Sequence, residues 1–194
     1  GLNHVDTAYA RKRGVKVISL RGRASFLKNI PSTAEKTMAL MLAVMRNLPW
    51  AFDHVKAGGW KRDLFKGYQL HKKTLGIIGF GRLGKIVARF AYAFGMNVIV
   101  YDPYISAKSF GKANKVSLDA LCKHADVISL HASFDPEKPN IILKEKHFKM
   151  MKPSAFFINT ARGELVDEKA LLKALKQEWI KGAALDVMWN ERGD

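Results

Sequence analysis

Gly79-Phe80-Gly81-Arg82-Leu83-Gly84 spaces three glycines as G-x-G-x-x-G, and Asp102 closes the next apolar run. Residues of these types at these spacings can hold a pair of phosphates. The first glycine permits a tight turn, the second lets backbone N–H groups approach anionic oxygens, and the third lets a helix pack closely on a strand. A pyrophosphate placed there meets the positive end of the helix macrodipole. Asp102 then accepts hydrogen bonds from the hydroxyls of an adenosine ribose. Its charge repels a 2′-phosphate, and no arginine follows closely, so NAD is favoured over NADP.

Three glycines alone are a weak signal, so the flanking elements decide its weight. Thr74–Gly79 reads as a short apolar strand and Leu83–Phe94 as a helix with apolar residues at helical spacing, stopped by Gly95. Asn97–Tyr101 is a β-branched strand that delivers Asp102. The alternation continues. Ser117 caps a helix to His124, Val127–His131 is a strand, and Lys144–Met151 is a helix ended by Pro153. Ala155–Asn159 is a strand, Asp167 caps a helix to about Gln177, and Gly182–Val187 is the last strand. Nearly continuous apolar strands between helices imply an α/β fold, a doubly wound parallel sheet covered on both faces. Right-handed crossovers then bring every strand's carboxyl end to one edge, where ligands bind.

Upstream, Val15–Leu20 reads as a strand, and Arg11-Lys12-Arg13 as the solvated end of a short helix. Ser32 to about Lys56 reads as a long helix with Ser32 and Glu35 as its capping box, interrupted or kinked at Pro49 and closed by Gly58-Gly59. Its Met38–Met45 stripe belongs to a core or a subunit interface.

The composition, 48% hydrophobic and 26% charged, is that of a folded domain. No apolar run is long enough to cross a bilayer, and no secretory signal is visible. The one cysteine, Cys122, sits in an apolar helical stretch as a small buried hydrophobe, and a reducing cytoplasm is the default location. The net charge of +16 could draw polyanions. Its lysines are scattered, without interleaved aromatics, so neither nucleic acid nor membrane is expected as a partner.

Longer stretches carry a resemblance. Lys73–Gly84, Phe94-Gly95-Met96, Tyr101-Asp102-Pro103, Ala125–His131, Met151-Lys152-Pro153, Phe157–Asp167 and Gly182–Val187 closely resemble the D-isomer-specific 2-hydroxyacid dehydrogenases. Ser32-Thr33-Ala34-Glu35, Gly59-Trp60 and Phe65-Lys66-Gly67 look like the phosphoglycerate dehydrogenase branch. The resemblance implies a Rossmann-type NAD-binding domain in an enzyme that moves a hydride between a D-2-hydroxy acid and NAD. The first substrate expected is 3-phosphoglycerate, followed by glyoxylate/hydroxypyruvate and D-lactate-type activities. An NAD-sensing corepressor-like binding module uses the same fold and is the alternative of another class.

Carried over residue by residue, Arg162 matches the catalytic arginine that holds the carboxylate of the 2-hydroxy or 2-oxo acid and polarises its 2-oxygen. Glu191 matches the glutamate that orients a histidine acting as acid or base. Gly79, Gly81, Arg82, Leu83, Gly84 and Asp102 match the dinucleotide cradle. His131, Thr160 and Ala161 match strand-end positions lining the cofactor, Asp186 the position facing the nicotinamide, and Asn29 a substrate-contacting asparagine. No metal ligands are implied.

The histidine is due about two dozen residues after Glu191, and none of His4, His54, His71, His124, His131 or His147 can fill that place. Ser133 and Lys138 stand where the family has proline and threonine, and Met188–Arg192 replaces a more acidic stretch. The expected organisation is a substrate-domain remnant over 1–26, an interdomain and dimer-interface helix region over 27–72, and the Rossmann-type domain over 73–194. The chain is thus expected to be cut short at both ends, to bind NAD with little turnover, and to form a homodimer through Met38, Leu40, Met41 and Leu42.

Overall fold

The computed structural model describes residues 5–20, 23–27, 29–106, 111–135 and 140–189. The chain falls into two units, Gly1–Pro31 and Ser32–Asp194. In the first, Asp6 caps α1 (Thr7–Lys12) by accepting the Tyr9 N–H at 2.8 Å. Arg11 and Lys12 fill the last turn, favourable to the helix dipole, as the basic run suggested. Gly14, at φ 67°, turns the chain away. The strand expected at Val15–Leu20 is absent: the segment is irregular. Val15, Ile18 and Leu20 are 59%, 80% and 50% exposed, and no neighbouring strand among the described residues pairs with them. β-branched composition without a partner edge makes no sheet. A single turn, α2 (Ala24–Leu27), follows.

The second unit opens with α3 (Ser32–Met45) and α4 (Leu48–Lys56). The break between them is the one Pro49 announces. Proline lacks an N–H, so it sits in the first turn of α4, and Asn47 adopts a left-handed φ of 54° ahead of it. A 3₁₀ turn at Arg62–Phe65, which the sequence pattern did not reveal, leads toward the sheet.

The sheet elements are β1 (Thr74–Ile78), α5 (Arg82–Ala93), β2 (Asn97–Tyr101), β3 (Asn114–Lys115), α6 (Leu118–His124), β4 (Val127–Leu130), α7 (Glu145–Met150), β5 (Phe156–Asn159), α8 (Glu168–Lys176) and β6 (Gly182–Leu185). All strands are parallel in the order β3-β2-β1-β4-β5-β6. This is the doubly wound Rossmann-type arrangement expected from the alternation. β3 was not foreseen, because two polar residues carry no apolar signal.

Alternate residues of a strand point to opposite faces, so a sheet covered on both faces needs apolar residues throughout. Leu75, Ile77, Val127, Phe156 and Ile158 meet Met38, Met41, Val87 and Ala91 of α3 and α5 on one face. Ile78, Ile128, Leu130 and Phe157 meet Leu121, Cys122, Leu171 and Ala174 of α6 and α8 on the other. The Met38–Met45 stripe is therefore core of this unit. Met38 and Met41 are 6% and 0% exposed, which corrects their expected place in a dimer face. Exposed apolar side chains lie instead on α4, where Leu48, Trp50, Phe52 and Val55 are 38%, 53%, 61% and 50% exposed.

The caps expected at Ser117 and Asp167 are present, accepting from the N–H groups of Ala120 (3.2 Å) and Ala170 (3.0 Å). Gly95 ends α5 at φ 69°. At the amino edge of the sheet, Asp126 accepts the Thr74 N–H at 2.8 Å and pairs with Lys152 at 2.9 Å. Burial works against its charge, but these partners hold its carboxyl below the usual carboxylate range.

Candidate functional site

The strand register sets the site. Ile78 pairs with Tyr101 and with Leu130, Leu130 with Asn159, and Asn159 with Leu185. The next residue in each strand is Gly79, Asp102, His131, Thr160 and Asp186. Five residues singled out from sequence thus stand level along one carboxyl edge. The ladder reaches them: the N–H groups of Gly79, His131 and Asp186 donate to the carbonyls of Tyr101 (2.9 Å), Ile78 (2.7 Å) and Asn159 (2.9 Å).

The three glycines do different work. Gly79 has φ 90°, and a Cβ there would meet Ala132 N at 2.5 Å. A Cβ on Gly84 would strike the Gly79 carbonyl, so this glycine lets α5 seat against β1. Gly81 has neither constraint. It is the N-cap residue of α5 with φ −71°, and its absent Cβ would meet nothing within 4 Å. Packing therefore does not demand glycine at 81, whereas a close-approaching anion would. Having no side chain, Gly81 leaves the first turn of α5, which contains no acidic residue, to Arg82, Leu83 and their amides.

Asp102 is 7% exposed. Its Oδ2 accepts the Phe80 N–H at 2.7 Å and its Oδ1 the Tyr104 N–H at 2.9 Å. The carboxylate braces the glycine turn and retains lone pairs for sugar hydroxyls. A cleft of about 630 Å³ runs beside it, lined among others by Gly79, Gly81, Tyr104, His131 and Ile142. Across that cleft, His131 Nε2 lies 2.8 Å from Ser129 Oγ, while Nδ1 is buried without a partner. Burial pushes the imidazole down to about 4, so it is neutral in ordinary buffers. An orphaned buried ring nitrogen is a costly feature that a polar ligand group would satisfy.

Beyond β5 the chain turns sharply on Asn159, which is buried at 1% exposure. Its Oδ1 accepts the Ala161 N–H at 2.9 Å, and its Nδ2 donates to the Arg162 carbonyl at 3.0 Å. Thr160 directs its hydroxyl into α3, 2.8 Å from Thr37 Oγ1. Thr37 itself donates to the Thr33 carbonyl at 2.8 Å, so Thr160 is the donor between the two hydroxyls. Arg162 is exposed, with Nη1 donating to the Ala161 carbonyl at 2.6 Å. Asp186 pairs with Lys36 Nζ at 2.6 Å.

A clamp holds the segment after β6. A Cβ on Gly163 would strike the Met188 backbone, Trp189 Nε1 donates to the Val166 carbonyl at 3.0 Å, and the Trp189 N–H donates to Glu168 Oε1 at 2.5 Å. Glu191 and Lys138 lie outside the described residues. Asn29 is exposed in the first unit, in the turn after α2. Sequence reading missed Lys36, Thr37, Ser129 and Asn159. Thr37 was visible as a hydroxyl inside an apolar helical stripe, and Asn159 as the polar end of an apolar strand. Among the described residues no His, Cys, Asp and Glu cluster could hold a metal, and no helix is long and apolar enough to cross a membrane.

Residues 38–194 match the NAD binding domain of the D-isomer specific 2-hydroxyacid dehydrogenases. The chain belongs to this family. It is 45% identical to D-3-phosphoglycerate dehydrogenase of Methanocaldococcus jannaschii over 98% of the chain and 36% of that protein. It is 40% identical to glyoxylate reductase of Thermococcus litoralis over 98% of the chain and 59% of that protein. Among solved structures, D-lactate dehydrogenase from Aquifex aeolicus, complexed with NAD and lactic acid, superposes with a TM-score of 0.82 at 36% identity. That match covers 99% of the chain and 56% of that structure. The chain thus spans between about a third and three-fifths of the length of these relatives. The dehydrogenase resemblance read from Gly79–Gly84 and Phe157–Asp167 holds, and NAD is the family's cofactor.

Proposed function

We propose that this chain is the coenzyme-binding part of an NAD-dependent dehydrogenase acting on D-2-hydroxy acids, with 3-phosphoglycerate as first substrate and glyoxylate or hydroxypyruvate as the alternative. One observation carries the reading: a glycine that packing does not require, Gly81, stands at the open N-terminus of α5 beside the buried carboxylate of Asp102. Gly79, Gly81, Gly84 and the first-turn amides of Arg82 and Leu83 hold the pyrophosphate. Asp102 holds the adenosine ribose and disfavours a 2′-phosphate. His131 supplies its unsatisfied ring nitrogen to the cleft wall, and Thr160 and Ala161 shape the cofactor edge at the end of β5. The nicotinamide half then falls on β4, β5 and β6, with Asp186 facing the ring.

When bound, NAD takes up or returns the hydride at the substrate's C2. The chain's own part is to bind and polarise. Arg162, on the turn stapled by Asn159, offers a permanently charged fork to a carboxylate. Trading its intrachain bond to the Ala161 carbonyl for the substrate costs little, since Arg162 makes that bond at the solvent-exposed surface. Glu191 orients the acid–base histidine in the family's scheme. Asn29 contacts substrate on the same carry-over. The domain limits read from sequence, 1–26, 27–72 and 73–194, belong to this proposal. So do a homodimer, now through the exposed apolar side chains of α4, and a cytoplasmic location.

Calorimetry with each coenzyme tests the cofactor claim: NAD⁺ is expected to bind, and NADP⁺ more weakly. Absence of heat with both overturns it. Loss of NADH absorbance on adding hydroxypyruvate tests the chemistry in the whole protein. There, Arg162→Ala should lower kcat/KM by about 100-fold or more while NAD⁺ affinity changes little. Equal losses would refute its role.

A further inference from the structure

In a sheet ordered 3-2-1-4-5-6, two mononucleotide halves flank the switch point between β1 and β4. The glycine turn and Asp102 occupy the β1–β2 half. The other half lies at the ends of β4, β5 and β6, where Asp186 extends the last strand in register. Asp186 does not stand alone there. Lys36, in the first turns of α3, places Nζ 2.6 Å from its Oδ1, with side chains 58% and 31% exposed.

The two redox forms of the coenzyme share their adenine, riboses and pyrophosphate, and differ in one charge. The oxidised nicotinamide is a cation and the reduced ring is neutral. Contacts to the shared parts cancel from the ratio of the two affinities, whereas a fixed charge beside the ring does not. A bare carboxylate at 186 would favour the cation. A carboxylate already paired with an ammonium group has little field left to offer.

We propose that Lys36 sets the preference between NAD⁺ and NADH by neutralising Asp186 and so withholding stabilisation from the oxidised ring. This rests on the nicotinamide placement given under Proposed function. Lys36 touches no reactant; it acts through Asp186. The pairing biases the bound couple toward NADH, and with it the equilibrium on the protein toward the 2-oxo acid.

The test is calorimetric titration with NAD⁺ and with NADH, on the wild-type chain and on Lys36→Met, Asp186→Asn and the double variant, with Lys36→Gln in reserve should the first misfold. Lys36→Met should raise the NAD⁺-to-NADH affinity ratio about fivefold at low salt, for one charge acting across a partly solvated site, and salt should erode the gain. Asp186→Asn should move the ratio the other way. The double variant again has no net charge at the pair, so its ratio should return close to wild type; Lys36→Arg should leave the ratio unmoved. A general disturbance of the fold would not produce that restoration. An unchanged ratio in Lys36→Met, or a double variant that fails to restore it, overturns the proposal while leaving NAD binding intact. Wild-type protein that binds neither form overturns the placement beneath it.

Discussion

Single residues divide into those the fold needs and those only a ligand needs, and the glycine turn separates them. A side chain at 84 would strike the Gly79 carbonyl, so Gly84→Val should lose stability before anything else. At 81 a side chain meets open space at an ordinary φ, so Gly81→Val should melt close to wild type. The same variant should bind NAD about 10- to 100-fold more weakly, the scale of losing charge-assisted hydrogen bonds. A thermal melt and a titration on one sample check both halves. His131 yields a pH prediction. Its imidazole titrates near 4 in the folded chain because burial disfavours the cation, against 6.5 when unfolded. Between those values the unfolded chain binds more protons, so stability is full above pH 6.5 and declines on acidification. By pH 4 the decline amounts to about 3 kcal/mol. His147, also lowered chiefly by burial, acts in the same direction. Denaturant unfolding at pH 7 and pH 5 should show a smaller difference in His131→Phe than in wild type.

Elements were legible wherever an apolar pattern reported a face. β1, β4 and β5 are buried on both sides and β2 is buried on one and partly covered on the other, so each is a run of mostly apolar residues bounded by turn signals. The caps at Ser117 and Asp167 and the stop at Gly95 were readable because they act over three or four residues. Val15–Leu20 misled because strand propensity says nothing about whether an edge is present to pair with. β3 was silent because its two residues pair through backbone alone. In the site, the glycine turn and Asp102 were legible because their spacing is dictated by one local unit. Thr37 and Lys36 were not, because their partners lie far along the chain, 123 residues away for the Thr37–Thr160 pair and 150 for Lys36–Asp186, whereas Asn159 binds locally to Ala161 and Arg162 and showed itself only as a polar residue ending an apolar strand. The amino edge shows how such a long-range tie stabilises elements. Asp126 joins β1 to Lys152, ahead of β5, so Asp126→Ala strands the Thr74 N–H and should cost about 1–3 kcal/mol in urea unfolding. Asp126→Asn, which can still accept that bond, should lose less.

For the whole molecule, the two apolar clusters leave α3 no free face of methionines, while α4 exposes Leu48, Trp50, Phe52 and Val55 together on one short helix. If two copies pair through α4, charges placed there by Trp50→Glu and Phe52→Glu should halve the mass found by light scattering without moving the NAD affinity. An unchanged mass would place any assembly elsewhere. The net charge of +16 raises the encounter rate with an anionic coenzyme, an effect that falls with ionic strength and leaves the fold untouched. The level strand ends also govern how this architecture can vary. Inserting one residue within β4 would turn every following side chain to the opposite face and carry His131 out of line with Gly79 and Thr160. Gains and losses of length therefore belong in the connections past the edge, where a longer or shorter loop can reshape what is recognised without disturbing the row of residues that does the holding.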